Sequence, residues 1–282
     1  MRIAVNGCGR IGKNFIRAFL ADPKAQEQIT LAVINIGKAD KEAIPLFLKY
    51  DTLMGTSSHT FEYRDDFLLI DGHLKVTLIN ELDPEKAPWK EHAIDWVVEC
   101  TGHFAEREGA QKHLNAGARK VLISAPAKNE DVAIILGVNE SHYKADKHTI
   151  VSLGSCTTNA VYPMLKVVQD AFGIENAFMT TVHAYTNSQA LLDVDPHLKD
   201  PRKSRAAALN IIPSSTGAME VVEKVMPELV GKLAGCAMRV PVGKVSLIDL
   251  TITLKKDTTL FAINEAFKAA AEGSLKNIIA YS

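Results

Sequence analysis

The most restrictive stretch of this chain is its beginning. An apolar run, Arg2-Ile-Ala-Val-Asn6, passes straight into Gly7-Cys8-Gly9-Arg10-Ile11-Gly12, after which Ile11, Phe15 and Phe19 recur at helical spacing. Strand, glycine-rich turn and helix, in that order, form the setting in which G-x-G-x-x-G carries meaning. The glycines permit a tight turn and let backbone come close to a pyrophosphate held at the helix N-terminus. The same letters also make an ordinary βα turn. Their place at the head of a chain that alternates strand and helix favours the dinucleotide reading.

The next segments keep that alternation. Thr30–Ile34 reads as a strand ending at Asn35, about 20 residues past the glycines, where such folds commonly place an acidic residue for the adenosine ribose. Here the strand end reads Asn35-Ile36-Gly37-Lys38. A carboxylate would repel a 2′-phosphate; Ile36 does not, and Lys38 can attract one, so NAD and NADP both stay open. A single loop lysine is more often simply solvated. Lys41–Tyr50 reads as a helix, and Phe67–Ile70 and Leu74–Leu78 as strands joined by the hairpin signal Asp71-Gly72. Asp95–Cys100 is a buried-type strand leading to Thr101-Gly102. Arg107–Ala116 is a helix stopped by Gly117, and Lys120–Ile123 a strand leading to Ser124. In a mostly parallel sheet the loops at the strand ends gather around one crevice, which makes Thr101, Gly102 and Ser124 candidate partners of the glycine turn.

A second landmark is Ser152-Leu-Gly-Ser-Cys-Thr-Thr-Asn-Ala-Val161. Thr149–Val151 looks like a strand end, and Val161, Leu165, Val168 and Phe172 form a helical stripe, with the capping types Ser155, Thr157 and Asn159 between them. Cys156 therefore stands at or just before a helix N-terminus, where the dipole and unpaired N–H groups favour thiolate. A buried structural role is the commoner fate of a cysteine, but the polar surroundings favour a reactive one. Beyond it, Asn176–Val182 reads as a strand leading to His183, and Ala184–Ala208 as a long loop. Ile211–Leu229 reads as Pro213-Ser-Ser-Thr216-Gly217 followed by a helix. Ala237–Val240 and Val245–Leu254 read as strands, the latter with Ile248, Leu250, Ile252 and Leu254 on one face, and Leu260–Ala271 as a helix. The chain thus divides into an α/β half, residues 1–154, and an α+β half, residues 155–282, with a largely antiparallel sheet.

Composition narrows the partners. With 32 basic and 33 acidic side chains the net charge is −1, so no global field draws nucleic acid or an anionic membrane. No apolar run reaches the ~18 residues of a bilayer span, and the N-terminus begins as a strand rather than as a secretory signal. The basic run Lys199–Arg205 lacks interleaved aromatics, which ranks nucleic acid last among its uses. Cys8, Cys100, Cys156 and Cys236 are widely spaced and form no C-x-x-C pair. That argues against zinc and against a disulfide framework, and fits a reducing cytoplasm.

Asn6–Gly12, Lys49-Tyr50-Asp51, Cys100-Thr101-Gly102, Ser155–Asn159, Thr181-Val-His-Ala184, Arg205–Gly217 and Arg239-Val-Pro241, spread over the whole chain, resemble the phosphorylating glyceraldehyde-3-phosphate dehydrogenase family. The resemblance implies a Rossmann-type dinucleotide-binding domain followed by a catalytic domain, a cytoplasmic homotetramer, and a place in glycolysis with the direction left open. It implies that the Cys156 thiolate adds to an aldehyde while His183 keeps it ionised and shuttles the proton. Hydride then passes to NAD(P), and inorganic phosphate releases 1,3-bisphosphoglycerate. A lone histidine after a strand is otherwise a structural residue; the resemblance makes His183 catalytic. Arg239, whose guanidinium fork suits phosphate, is assigned with Thr186 to the substrate phosphate, and Ser155, Thr157, Thr216 and Gly217 to the inorganic one. The dinucleotide falls to Asn6, Gly7, Gly9, Arg10, Ile11, Gly12, Asn35, Thr101, Gly102 and Ser124, Arg205 to a subunit contact, and no residue to a metal. Two departures stand out. Ile36 occupies the family's acidic position, and the chain ends about 50 residues before the family's usual C-terminus, whose last helix packs on the cofactor domain and which carries an Asn that orients the nicotinamide. Erythrose-4-phosphate dehydrogenase, disfavoured by Thr186 and Ser188, and a non-catalytic fragment or scaffolding protein are the alternatives.

Overall fold

A computed structural model describes residues 1–195 and 200–282; Lys199 of the basic run lies outside the described residues. The chain forms two compact units, Met1–Ala133 with His142–Gly154, and Ile134–Ser141 with Ser155–Ser282.

The first unit is built on strands β1 (Arg2–Asn6), β2 (Thr30–Asn35), β3 (Phe61–Arg64), β4 (Phe67–Ile70), β5 (Leu74–Ile79), β6 (Trp96–Glu99), β7 (Lys120–Ile123), β8 (Val132–Ala133) and β9 (Ile150–Ser152). They make a 9-stranded sheet in the order β3-β4-β5-β2-β1-β6-β7-β9-β8. Pairing is parallel from β5 through β8, and antiparallel only in the β3–β4–β5 ribbon. β1 and β2 are buried along nearly their whole length, the pattern of central parallel strands covered on both faces. β1 lies between β2 and β6, so the sheet grows in both directions from it. The carboxyl end of β1 is therefore a topological switch point, where such sheets bind ligands. Asp71 and Gly72 both take positive φ (51° and 71°), and the His73 N–H closes on the Ile70 carbonyl at 3.2 Å, so the hairpin turns between the paired Ile70 and Leu74.

Helix Arg10–Ala21 is rotated from the face its spacing predicts. Gly12, Lys13, Ile16, Phe19 and Leu20 point inward, and Ile11 is 51% exposed. The cause is Gly12: a Cβ there would lie 1.9 Å from the Gly7 carbonyl oxygen, so that position must face the turn and Ile11 faces out. The predicted helix Lys41–Tyr50 is instead a 3-10 turn, Lys41–Ala43, followed by an α-helix, Ile44–Lys49. Pro45, in the first turn of the latter, starts the helix afresh.

In the second unit β10 (Ile174–Ala184), β11 (Ile212–Ser214), β12 (Leu233–Val240) and β13 (Ser246–Leu254) form a 4-stranded sheet ordered β11-β12-β10-β13. The β11–β12 and β10–β13 pairings are antiparallel and the β10–β12 pairing parallel, so the sheet is mixed. β10 runs on past Val182, which puts His183 within the strand. The helix expected after Gly217 shrinks to Val222–Val225 and a 3-10 turn Pro227–Leu229, because Pro227 cannot continue an α-helix. Ile134–Ser141 precedes the sequence boundary at 154 yet packs in this unit. Ile134 and Ile135 are buried, and Gly137 sits so close to Leu275 and Ile278 that a Cβ would approach them to 2.6 and 2.7 Å. Among the described residues no helix is long and apolar enough to cross a membrane, and no group of three or more His, Cys, Asp or Glu is placed to hold a metal ion.

Candidate active site

In the first unit a cavity of about 740 Å³ opens at the carboxyl ends of β1, β2, β5 and β6. Of the residues picked from sequence, Asn6, Gly7, Gly9, Asn35 and Thr101 line it, along with Ile36 and Lys38. Gly7 has φ 95° and donates its N–H to Asn35 O at 2.9 Å; a Cβ there would press on the Thr101 side chain at 2.7 Å. Only glycine fits that turn, and its bare backbone forms one wall of the cavity. Arg10, Ile11, Gly12, Gly102 and Ser124 are not part of the lining. Arg10 pairs with Asp51. The Ser124 N–H and hydroxyl both donate to Glu99 O, at 3.1 and 2.9 Å.

Several residues of this region escape a reading of sequence alone. Lys13 joins Arg10 on Asp51 (Nζ to Oδ2 2.6 Å) with both side chains buried. Burial pushes the Asp51 carboxyl up, but hydrogen bonds from Lys13 and Arg10 outweigh it and hold the group well below the usual carboxylate range. Glu81, His103 and Phe104 line the cavity. Glu81 arrives from the strand β5 that pairs with β2, and its Oε1 accepts the N–H groups of Leu82 and Asp83 at 2.8 and 2.9 Å. Glu99, at the end of β6, lies wholly inside the protein beneath Asn6 and Thr101. The cue for it was a lone acidic residue in an otherwise apolar strand, Trp96-Val-Val-Glu99.

The second unit holds the thiol. Cys156 is the first residue of helix Cys156–Phe172, capped by Ser155, whose hydroxyl accepts the Thr158 N–H while Thr158 Oγ1 accepts the Ser155 N–H at 2.6 Å. This reciprocal box fixes the helix start and leaves Cys156 exposed. Its Sγ lies 3.3 Å from His183 Nε2 and 4.0 Å from Thr157 Oγ1. The His183 contact lowers the thiol pKa against the opposing effect of burial. The same contact, against burial, raises that of His183, so both shifts favour a thiolate–imidazolium pair. Cys8 and Cys100, by contrast, are pushed up to about 11 by burial.

Strand register sets the rest. His183 on β10 stands opposite Arg239 on β12. His183 Nδ1 sits between the Ala184 carbonyl (2.7 Å) and Arg239 Nη1 (2.7 Å), and the same Nη1 donates to that carbonyl at 3.0 Å. An imidazolium gives its Nδ1–H to the carbonyl; a neutral ring can accept from Arg239. Burial lowers the pKa of Arg239, and among the described residues its Nε has no partner, as is true of the buried Thr181 and Ser214 hydroxyls. Thr186 is exposed just past the end of β10, its hydroxyl 3.0 Å from that of Ser188. Thr216 Oγ1 accepts the Ala218 N–H at 3.2 Å, and the Ala218 carbonyl takes the hydroxyl of Tyr162 at 3.0 Å. Tyr162 thereby ties the Cys156 helix to the loop carrying Thr216 and Gly217. Arg205 pairs with Asp193 within the chain at 2.9 Å.

One unit carries a glycine-turn cavity and the other a helix-capped thiol against an imidazole, features that suit a nucleotide-linked dehydrogenase. Residues 1–107 match the family description "Glyceraldehyde 3-phosphate dehydrogenase, NAD binding domain", and residues 155–282 match "Glyceraldehyde 3-phosphate dehydrogenase, C-terminal domain". Over 100% of its length the chain is 47% identical to glyceraldehyde-3-phosphate dehydrogenase of Geobacillus stearothermophilus, spanning 82% of that protein. It is 46% identical to glyceraldehyde-3-phosphate dehydrogenase 2 of Bacillus subtilis and 45% to glyceraldehyde-3-phosphate dehydrogenase 1 of Bacillus cereus, spanning 81% and 82% of them. The chain belongs to the glyceraldehyde-3-phosphate dehydrogenase family. The relatives do not favour the erythrose-4-phosphate or scaffolding alternatives.

Proposed function

We propose that this protein oxidises glyceraldehyde 3-phosphate to 1,3-bisphosphoglycerate through a thioester on Cys156, using NAD or NADP and inorganic phosphate. The observation that carries the proposal is the 3.3 Å contact between an exposed, helix-capped Cys156 Sγ and His183 Nε2. The thiolate attacks the aldehyde carbon, and His183 gives its Nε2 proton to the new oxygen. His183 then takes that proton back, raising the electron density that expels hydride. The bound dinucleotide supplies the hydride acceptor. A phosphate oxygen attacks the resulting thioester, the C–S bond breaks, and the sulfur leaves as the thiolate that His183 stabilises.

Arg239 and Thr186 serve the substrate phosphate in this reading; Arg239 Nε, without a partner among the described residues, is a spare donor for it. Ser155, Thr157, Thr216 and Gly217 serve the attacking phosphate, helped by the dipole of the Cys156 helix. The cavity suits a dinucleotide: Gly7 and Gly9 would let the pyrophosphate approach backbone, and Asn35, Ile36 and Lys38 would hold the adenosine ribose. Ile36 offers no carboxylate against a 2′-phosphate, and Glu81 turns one oxygen onto its own loop, so NADP is accepted beside NAD. Homotetramer assembly is supported by the exposed apolar side chains Leu191, Leu209, Ile211 and Leu247, which other copies of the chain would cover. Initial rates with glyceraldehyde 3-phosphate, with and without inorganic phosphate, test the reading. A phosphate-dependent rate exceeding that with erythrose 4-phosphate is expected; no rate, or one indifferent to phosphate, would overturn it.

A further inference from the structure

Four hydrogen-bond donors converge on the buried carboxylate of Glu99. Its Oε1 accepts the Thr101 N–H at 2.6 Å and the Thr101 hydroxyl; its Oε2 accepts Asn6 Nδ2 at 2.6 Å and His113 Nε2 at 3.1 Å. The direction of each bond is fixed from outside. Trp89 Nε1 donates to His113 Nδ1 at 3.0 Å, so that nitrogen carries no proton and the ring offers N–H only at Nε2. Asn6, having given its amide N–H to Glu99, presents its Oδ1 to Asn35 Nδ2 at 2.6 Å. Asn35 Nδ2 also donates to Glu81 O at 2.8 Å, and its Oδ1 accepts the N–H groups of Gly37 (3.2 Å) and Glu81 (2.9 Å). From Gly37 N–H to Asn35, from Asn35 to Asn6 and from Asn6 to Glu99 the donors point toward Glu99, and only the Asn35 bond to Glu81 O branches away. Burial pushes its carboxyl up, but the bonds from His113, Thr101 and Asn6 outweigh that and keep it ionised.

We propose that Glu99 is the positioning residue of the dinucleotide cavity: as a pure acceptor it sets the amide orientations of Asn6 and Asn35, and through Asn35 it holds the Ile36–Lys38 loop. The proposal rests on the dinucleotide reading of that cavity. A neutral amide at 99 could not do this. Its oxygen could replace one carboxylate oxygen, but its NH2 would face the donors that meet the other. The Asn6 amide would then have to turn, Asn35 with it, and the acceptor for the Gly37 N–H would be lost. Glu99 is not in the cavity lining, so it acts through these neighbours.

The test compares the wild-type chain with Glu99→Gln, His113→Asn and Val97→Ala, titrating NAD and NADP by calorimetry and following Cys156 alkylation by iodoacetamide. Loss of charge-assisted bonds predicts at least a tenfold or so weaker Kd in Glu99→Gln, a KM for dinucleotide that rises more than kcat falls, and an alkylation rate within about twofold of wild type. If Glu99→Gln does not fold, His113→Asn, which removes one donor from beneath, carries the test with about threefold weaker binding. Val97→Ala opens a cavity in the same strand without touching the chain of bonds; it should melt earlier and keep its Kd. Unchanged Kd in Glu99→Gln or in His113→Asn, or equal weakening in Val97→Ala, would overturn the positioning role alone. Wild-type protein that binds neither dinucleotide would overturn the cavity's assignment, and this proposal with it.

Discussion

Glu99 and Cys156 are each the hub of a polar cluster, and the two clusters are built differently. Around Glu99 the donors are matched to acceptors, the carboxylate is 1% exposed, and the hydrogen-bond directions are determined from Trp89 to Gly37. Around Cys156 the thiol is exposed, His183 Nδ1 has both a donor and an acceptor within reach, and on the same sheet Arg239 Nε and the hydroxyls of Thr181 and Ser214 have no partner among the described residues. A satisfied buried network holds one arrangement rigidly, and a partly satisfied one retains capacity for other partners. The first cluster is closed on itself; the second leaves polar groups unmatched among the described residues.

Substitutions can break or sharpen that contrast. Cys156→Ser should have the largest effect, cutting kcat by about 10⁴-fold or more while dinucleotide titration stays near wild type; loss of both would mean that the two clusters do not work separately. His183→Asn should cost about 10³-fold in kcat. It should also move the pH midpoint of activity upward, because the thiol loses the hydrogen bond that lowers its pKa. In the wild type, kcat/KM should rise as pH passes the lowered thiol pKa and fall as it passes the raised His183 pKa, a bell measurable by stopped-flow. Asp51→Asn leaves Arg10 and the buried Lys13 without their carboxylate and should lower the melting temperature by about 5 °C, with little effect on alkylation of Cys156. Ile36→Asp, the mildest, should shift the NADP to NAD ratio of kcat/KM about tenfold toward NAD; an unchanged ratio would remove Ile36 from cofactor choice.

Local chemistry was legible in the sequence wherever one residue type has a single physical use. Gly7 and Gly12 announced a close backbone approach, Asp71-Gly72 a hairpin, and Ser155 a helix cap, and each is found in that role. The meeting of Cys156 with His183 depends on how a helix packs on β10 and could not be read from their separation. Glu81 and Glu99 are hard to single out in the sequence for a related reason. Glu99 ends β6 and Glu81 lies just past β5, strands that become neighbours of β1 and β2 only through sheet order, and strand order is a tertiary property. Ile11 faces outward against its apolar spacing, which alone cannot tell a core face from one turned out by a glycine's steric demand. The short helix after Gly217 was overextended because Pro227 outweighs an apolar pattern.

The central claim is that Cys156, and no other thiol here, is held as a thiolate by His183. Peptide mapping of iodoacetate labelling against pH tests it most directly. Cys156 should label far faster than Cys8, Cys100 or Cys236 at neutral pH, with a midpoint below that of a free thiol, and His183→Asn should raise that midpoint. Equal labelling of the four cysteines, or a Cys156 profile that His183→Asn leaves unmoved, would contradict it.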